Sequence, residues 1–553
     1  MITPQNLAQQ LDLVVGLWAE AGVVHWVVSP GSRNAPIVAA LLRNPVMELH
    51  ASPDERSAAF VALGIAQTLR YPAAFLCTSG TALVNAFPAV CEAYYQRIPL
   101  MIVSADRPEH LIDQWDGQTL RQKGIFGSYS RFDVHLNPRL VPPGEYSKFI
   151  YPAVECSIAP IPGPTHTNIA LDEPIYEGIE EQNTSNIEQY HKKDFTGLIP
   201  SFVFKAFDNS NPASILKLNE ALNSFPSLKE QPKIAIVVGL NPPDQALNDT
   251  LQQIQYKLPI FADTCSHQTN IGIENWDWGL LKREIPDSLK PDLIITLGST
   301  LLSKPLKLKL QQWKSAHIHV GLYNEVGDPF QTKPLHWVGH EADFIETLRI
   351  AICSNENWEK LSETWLQDWQ NFIDGQTLNP KELGDPFENE LNWVRHFVGQ
   401  LQSTDILQVG NSMSIRYVSW SQTQARIYAN RGVSGIDGCL STAVGCALAN
   451  RDSRVYVVLG DVSAVYDSNA LWMNFPSNLS VIILNNSGGR IFDWIQGPNQ
   501  FSKLRPFVHN PKTFDFKSLS EFYQLPYTSL SISNTDEIQQ VLNKFTGGII
   551  DVK

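Results

Sequence analysis

The strongest constraint on the fold is a pattern that recurs along the whole chain: a short apolar run, a loop of Gly, Ser, Asp or Asn, then a helical stretch. Val23–Ser29 leads into Pro30-Gly31-Ser32-Arg33-Asn34, Ala73–Cys77 into Ser79-Gly80-Thr81, and Leu100–Ser104 into Ala105-Asp106-Arg107-Pro108. Short runs with no polar alternation must be covered on both faces, and the usual solution is a parallel sheet between helices. The pattern returns at 234–238, 260–262, 293–297 and 318–320, and again at 406–409, 426–429, 455–459, 481–484 and 549–552. Polar stretches at 180–193 and 379–390 read as linkers. The expected architecture is α/β: three consecutive α/β domains with mainly parallel sheets, at 1–180, 195–355 and 385–553. Their similar size and pattern suggest duplication of one layout, without an obvious sequence repeat. The first helix is expected to be capped by Thr3, with Pro4 in its first position. In such sheets ligands gather at the carboxyl ends of the strands.

Charge and cysteine usage exclude several functions. Lys plus Arg less Asp plus Glu is 42 − 56 = −14, which disfavours a general nucleic-acid binder because phosphate neutralisation needs a basic surface. No apolar run approaches the roughly 20 residues of a membrane span. The first residues lack a basic stretch followed by an apolar one, so no signal peptide is expected. The seven cysteines are dispersed and odd in number, without a C-x-x-C, as befits a reducing, cytoplasmic setting rather than a disulfide framework or zinc site. There is no G-x-S-x-G elbow, and no G-x-G-x-x-G follows a strand.

The sharpest chemical signal lies in the third segment. The run ending at Leu459 leads directly into Gly460-Asp461, and 23 residues later (462–484) a second run leads into Asn485-Asn486-Ser487-Gly488-Gly489. A carboxylate and an amide oxygen at two adjacent strand ends can share one hard cation, and Mg²⁺ commonly keeps phosphate oxygens as further ligands. The glycines permit close backbone approach to a diphosphate.

This spacing resembles the diphosphate-binding motif of thiamine-diphosphate (ThDP) enzymes, which have a pyrimidine, a central and a diphosphate domain in that order. One departure is Val462, where many members carry Gly. The resemblance implies a glutamate that hydrogen-bonds the cofactor's pyrimidine ring, and Glu55, after a short strand and before an apolar helix, stands where that acid belongs; it is expected to be buried.

Within this superfamily the outer segments resemble the 2-succinyl-5-enolpyruvyl-6-hydroxy-3-cyclohexene-1-carboxylate (SEPHCHC) synthases of menaquinone and phylloquinone biosynthesis. The matching stretches are Ser29–Pro36, Asp54–Arg56, Thr78–Thr81, Ser104–Pro108, Asp116–Gln118, Gly410–Ser412 with Arg416, Asn430–Gly438, Gly460–Ser463, Tyr466-Asp467, Asn485–Gly489 and Ile491-Phe492. The middle segment offers only Leu297-Gly298-Ser299 and Lys304, and Pro305 stands where the family carries a second basic residue, with Lys307 nearby. The resemblance implies decarboxylation of 2-oxoglutarate and conjugate addition of the four-carbon remainder to isochorismate. It implies Glu55 as activator and Asp461, Asn486 and the Gly488 carbonyl as ligands of Mg²⁺ or Mn²⁺. It places Arg431, Ser434, Gly460, Ser463, Ile491 and Phe492 around the cofactor, with Ile436 wedged beneath it. Two dicarboxylates in an acidic protein require local cations, and Arg binds carboxylate bidentately. Arg33, Arg107, Arg416 and Lys304 are the candidates, with Ser32, Gln118 and Ser412 as neutral donors. The resemblance further implies a homodimer or higher homo-oligomer, with Glu55 and Asp461 meeting across the subunit interface. The competing readings are another ThDP-dependent 2-oxoacid decarboxylase or carboligase of the acetolactate synthase kind, and a catalytically silent scaffold.

Overall fold

The computed structural model describes residues 6–173, 175–176, 212–268, 270–281, 284–375, 379–495 and 497–553. The chain builds three α/β layers. The first sheet holds β1 (His25–Val28), β2 (Glu48–Ala51), β3 (Ala73–Cys77), β4 (Leu100–Asp106), β5 (Phe132–Leu136) and β6 (Thr165–Ala170), in the order β2-β1-β3-β4-β6-β5. The second holds β7 (Ile234–Val238), β8 (Ile260–Ala262), β9 (Leu293–Leu297), β10 (Ala316–Gly321) and β11 (Leu335–Val338), in the order β11-β10-β9-β7-β8. The third holds β12 (Ile406–Val409), β13 (Arg426–Ala429), β14 (Val455–Gly460), β15 (Leu479–Leu484), β16 (Tyr527–Leu530) and β17 (Gly548–Val552), in the order β13-β12-β14-β15-β17-β16. The strand pairs β3–β4, β9–β10 and β14–β15 are all parallel, in keeping with the apolar runs. Strand for strand, the third sheet repeats the order of the first, and the second sheet shares its first four places.

By contacts the chain forms two compact units. One comprises 1–201, 404–414 and 429–553, and the other 202–403 and 415–428. Within the first unit the Glu55–Leu69 and Cys439–Ala449 helices lie backbone to backbone. A Cβ on Gly64 would sit 2.1 Å from the Thr442 carbonyl oxygen, and one on Gly445 2.0 Å from that of Val61. Only glycine allows this crossing. The core beneath the first sheet is filled by Trp18, Trp26, Leu41 and Tyr146, all fully buried.

Several elements differ from the sequence expectation. The first helix is Leu7–Glu20, capped by Asn6, whose side chain accepts from the Gln9 N–H at 3.0 Å; the expected cap at Thr3 and Pro4 lies outside the described residues, as does the expected linker 180–193. The stretch 379–390 is only partly a linker. Phe387 opens the Phe387–Val398 helix, with Glu388 and Glu390 in a first turn that favours acids. Strands β5, β6, β11 and β16 carry too many polar residues to be read from apolarity. β6 is buried throughout although it begins Thr165-His166-Thr167-Asn168. Its His166 and Asn168 are paired: Ser104 Oγ donates to Asn168 Oδ1 at 2.7 Å and meets His166 Nε2 at 2.8 Å, and His166 Nδ1 faces Asp133 at 3.2 Å. The Ser104–His166–Asp133 line has the look of a nucleophile triad, yet Ser104 is wholly enclosed and its proton goes to Asn168, so the line is a structural brace. Among the described residues no helix is long and apolar enough to cross a membrane.

Candidate active site at the strand ends

Two groups of strand-end loops in the first unit carry the chemistry. At the first sheet, Glu55 is the first residue of its helix. Asp54 caps that helix, accepting from the Ser57 N–H at 2.9 Å, and its other oxygen accepts from Asn469 Nδ2 at 2.6 Å. The next residue, Arg56, donates to the Tyr466 carbonyl at 2.8 Å. Glu55 is thus aimed by neighbours held on both sides. It faces a cavity of about 300 Å³ lined by Pro30, Gly31, the 78–82 loop and the 118–120 loop, and among the described residues is the only ionisable one of that lining. Contrary to the expectation of an enclosed acid, Glu55 is half-buried, because the first sheet alone supplies the cavity wall.

The cavity wall is set by a residue that motif reading passed over. Gln122 is buried; its Oε1 accepts from the Gly80 N–H at 2.7 Å, and its Nε2 donates to Asn168 Oδ1 at 2.9 Å and to the Ala105 carbonyl at 3.2 Å. It links the 78–82 loop to the buried brace of β4 and β6. Ser79, on the same wall, keeps its Oγ buried without a hydrogen bond, a polar atom that a ligand could satisfy.

At the third sheet, Asp461 follows β14 and is 1% exposed. Its Oδ1 accepts from the Val462 N–H at 2.7 Å and its Oδ2 from the Gly488 N–H at 2.9 Å, so the loop after β15 is tied to the end of β14. Burial pushes its pKa up to about 6 against these backbone donors. Gly488 has φ +126°, and a Cβ there would meet His509 at 2.7 Å. Its carbonyl accepts from the Arg490 N–H at 2.8 Å and keeps a second lone pair. The Asn486 carbonyl accepts from Arg490 Nε at 2.8 Å, and the side-chain Oδ1 is buried without a hydrogen bond. Asn485 is different: its amide donates to the Phe514 carbonyl and to Asp551, which makes it structural. A Cβ at Gly460 would meet nothing within 4 Å, so open space adjoins the Asp461 turn. A carboxylate, an amide and a carbonyl beside that space form an oxygen set suited to a hard dication with phosphate. The donor chemistry at both sheets therefore fits a ThDP–Mg²⁺ group.

The loops that flank this turn are stapled together. Arg431 Nη1 donates to Asn411 Oδ1 at 2.9 Å, and Asn411 Nδ2 donates to the Gly435 carbonyl at 2.6 Å. Ser463 Oγ donates to the Ile436 carbonyl at 2.9 Å, while the Ile436 side chain remains 36% exposed, unusual for an apolar residue held by its backbone. Ser412 and Ser434 have positive φ, at 75° and 67°. Ile491 and Phe492 are half-buried in the short helix that follows Arg490. A second missed residue organises this region: the buried Glu92 accepts from the Gly432 and Val433 N–H groups at 2.6 and 2.7 Å, and desolvation raises its pKa despite them.

Two of the predicted cations, Arg33 and Arg107, are already engaged. Arg33 is 8% exposed; its Nη1 donates to the Leu171 carbonyl at 2.9 Å, its Nη2 pairs with Glu173 at 3.2 Å, and its Nε is buried without a hydrogen bond. Arg107 Nε donates to the Gly117 carbonyl at 2.7 Å and pairs with Asp116 at 2.8 Å. Ser32 and Gln118 are exposed, and Gln118 lines the cavity from a left-handed conformation with φ 57°. Lys304 and Arg416 belong to the second unit. Lys304 is exposed at the start of the Lys304–Trp313 helix, where Pro305 is a favourable early residue and Ser303 is the cap. Arg416 and Ser303 both act on the buried Asp277, which also accepts from Trp420 Nε1 at 2.9 Å. One enclosed carboxylate thus joins the neighbourhoods of two cations that are far apart in sequence.

Comparison with known proteins agrees with this geometry. Residues 10–125 match the family described as thiamine pyrophosphate enzyme, N-terminal TPP binding domain, and residues 408–550 match its C-terminal TPP binding domain. A 2-succinyl-5-enolpyruvyl-6-hydroxy-3-cyclohexene-1-carboxylate synthase of Cytophaga hutchinsonii is 35% identical over 95% of this chain and 91% of its own length. The protein of the same name from Desulfotalea psychrophila is 35% identical over 93% of this chain and 92% of its own. That from Flavobacterium johnsoniae is 31% identical over 99% and 97%. A chain that shares this much sequence along its whole length, and carries the Glu55 and Asp461 loops on sheets of one layout, belongs to the SEPHCHC synthase family of thiamine-diphosphate enzymes.

Proposed function

We propose that this chain is a transferase that decarboxylates 2-oxoglutarate and adds the four-carbon remainder to isochorismate by conjugate addition, yielding SEPHCHC and carbon dioxide on the route to menaquinone or phylloquinone. The observation that carries the reading is Glu55: in a chain of this family, the sole ionisable group of the cavity among the described residues stands at a helix start braced by Asp54 and Arg56. Bound ThDP supplies the carbon nucleophile and electron sink that a 2-oxoacid needs in order to lose carbon dioxide. Glu55 holds a proton at the cofactor's pyrimidine nitrogen. Asp461, Asn486 and the Gly488 carbonyl hold Mg²⁺ or Mn²⁺, and Gly460, Ser463, Arg431 and Ser434 border the diphosphate. Ile436, Ile491 and Phe492 offer apolar surface to the rings.

Arg33, Arg107, Lys304 and Arg416 receive the substrate carboxylates, with Ser32, Gln118 and Ser412 as neutral donors. Arg33 has an unused buried Nε, and the partly exposed Arg107–Asp116 pair is of a kind worth about 0–1 kcal/mol, so a substrate carboxylate displaces Asp116 at little cost.

The working form is a homodimer or higher homo-oligomer in the cytoplasm. The cavity at Glu55 has no lining residue from the third sheet, and the loops after β13 and β14 expose Val433, Ile436, Val465, Tyr466 and Trp472. Exposed apolar groups at a binding edge suit a second copy. All seven cysteines are free, as in a reducing compartment.

The test mixes protein, ThDP, Mg²⁺, 2-oxoglutarate and isochorismate and follows both isochorismate loss and carbon dioxide release. Joint consumption supports the reading; turnover of pyruvate with isochorismate untouched refutes it. Sedimentation of the active enzyme as a monomer would refute the shared site.

A further inference from the structure

We propose that His25, Glu48 and His50 form a binding site for a transition-metal dication of the zinc type, at the edge of the first sheet and separate from the cofactor loops. The argument starts from register. β1 and β2 pair in parallel with His25 opposite Glu48 and Val27 opposite His50. Paired residues share a face and side chains alternate with period two, so His25, Glu48 and His50 project from one face. One ligand atom from each lies within 4.8 Å of those of the other two, and His25 Nδ1 is 3.7 Å from Glu48 Oε2. Zinc bonds of roughly 2.0–2.1 Å in a tetrahedron place ligand atoms about 3.4 Å apart, so modest side-chain adjustment closes the set.

The groups are in a suitable state. His50 Nε2 is buried and makes no hydrogen bond. Burial lowers the pKa of both imidazoles, that of His50 to about 4, which leaves the neutral, ligating form at pH 7. β2 is an edge strand and the Glu48 side chain is 47% exposed, so an ion can enter from solvent. The donor set of two imidazoles and a carboxylate leaves a fourth position for water. Among the described residues the competing charge is Arg451, whose Nη2 lies 2.8 Å from Glu48 Oε2; it is 66% exposed and can swing into water. His25 and Glu48 begin their strands, whereas Ser29–Arg33 and Ser52–Glu55 follow the other ends. The ion would therefore brace β1 against β2 and steady the strands that carry Arg33 and Glu55. The alternative is that these polar side chains merely blunt an edge strand against aggregation.

The test uses the holoenzyme loaded with ThDP and Mg²⁺, so that the diphosphate site is filled, and titrates it with Zn²⁺ by calorimetry, with Co²⁺ absorption as a probe of tetrahedral ligation. We expect one site per chain whose affinity falls by roughly tenfold or more in His25→Gln and in His50→Gln, with circular dichroism unchanged. Arg451→Ala should tighten binding several-fold by releasing Glu48. Undiminished Zn²⁺ binding in the His25→Gln/His50→Gln double variant overturns the proposal, as does failure of the holoenzyme to bind Zn²⁺ at micromolar concentration. Weaker binding in Arg451→Ala would remove Glu48 from the ligand set and overturn it in this form.

Discussion

In the first sheet the acid of interest follows the second strand, β2, and opens onto a cavity; in the third sheet it follows the third strand, β14, and is enclosed. The two sheets have the same strand order, so topology alone does not dictate where a carboxylate stands or what it does. The difference lies in what surrounds each. Glu55 is aimed by its neighbours, Asp54 and Arg56, while its own carboxylate fronts the cavity. Asp461 spends lone pairs on the backbone of Val462 and Gly488 and thereby fixes two loops. A group that exchanges protons needs the first setting. A group that anchors a cation needs the second, because rigidity keeps the ligand geometry without reorganisation.

The comparison can be broken most directly by exchanging each acid for its amide. Glu55→Gln should lower the rate of 2-oxoglutarate decarboxylation by roughly 10²–10⁴-fold while ThDP binding, followed by tryptophan fluorescence, stays near its original strength. Asp461→Asn should do the reverse in kind, weakening Mg²⁺-dependent ThDP binding by roughly 100-fold, with much of the rate restored at high cofactor and metal. Equal loss of cofactor binding in the two variants would erase the distinction drawn here.

A third prediction tests whether the sheets must be locked together for either acid to work. Gly64→Val places a side chain against the Thr442 carbonyl and should cost about 3 kcal/mol or more of stability in chemical denaturation. The smallest effect concerns Asp467, which links the two regions by accepting from Ser441 N–H and Oγ at the start of the Cys439–Ala449 helix, near Arg56. Burial pushes its pKa up to about 6. The folded protein holds this proton to higher pH than the unfolded chain, so stability should decline as pH rises from about 4 to about 6, by at most about 3 kcal/mol. The decline should be shallower in Asp467→Asn, with Asp461, raised likewise, still contributing, as thermal denaturation across that range would show.

Much of the fold could be read from the sequence. β3, β7, β8, β9 and β12 start and stop where their apolar runs do, since a strand covered on both faces has little reason to carry polar residues. β6 escaped because its His166 and Asn168 are satisfied by Ser104, Asp106 and Asp133, partners brought from distant stretches of chain. The same reason hid Gln122, Glu92 and Asp277. Each is an isolated polar residue in the sequence, and each acquires a role only when a strand-end loop arrives beside it.

The amino-acid order by itself determined the parallel α/β layers and the loops able to hold a cofactor, because apolar runs and glycine-bearing turns act over a few residues. Only the tertiary structure decided that Glu55 would face a cavity, that Arg33 and Arg107 would already have partners, and that His25, Glu48 and His50 would converge. Burial and pairing depend on which strands become neighbours, and that is settled by packing across hundreds of residues rather than by local preference.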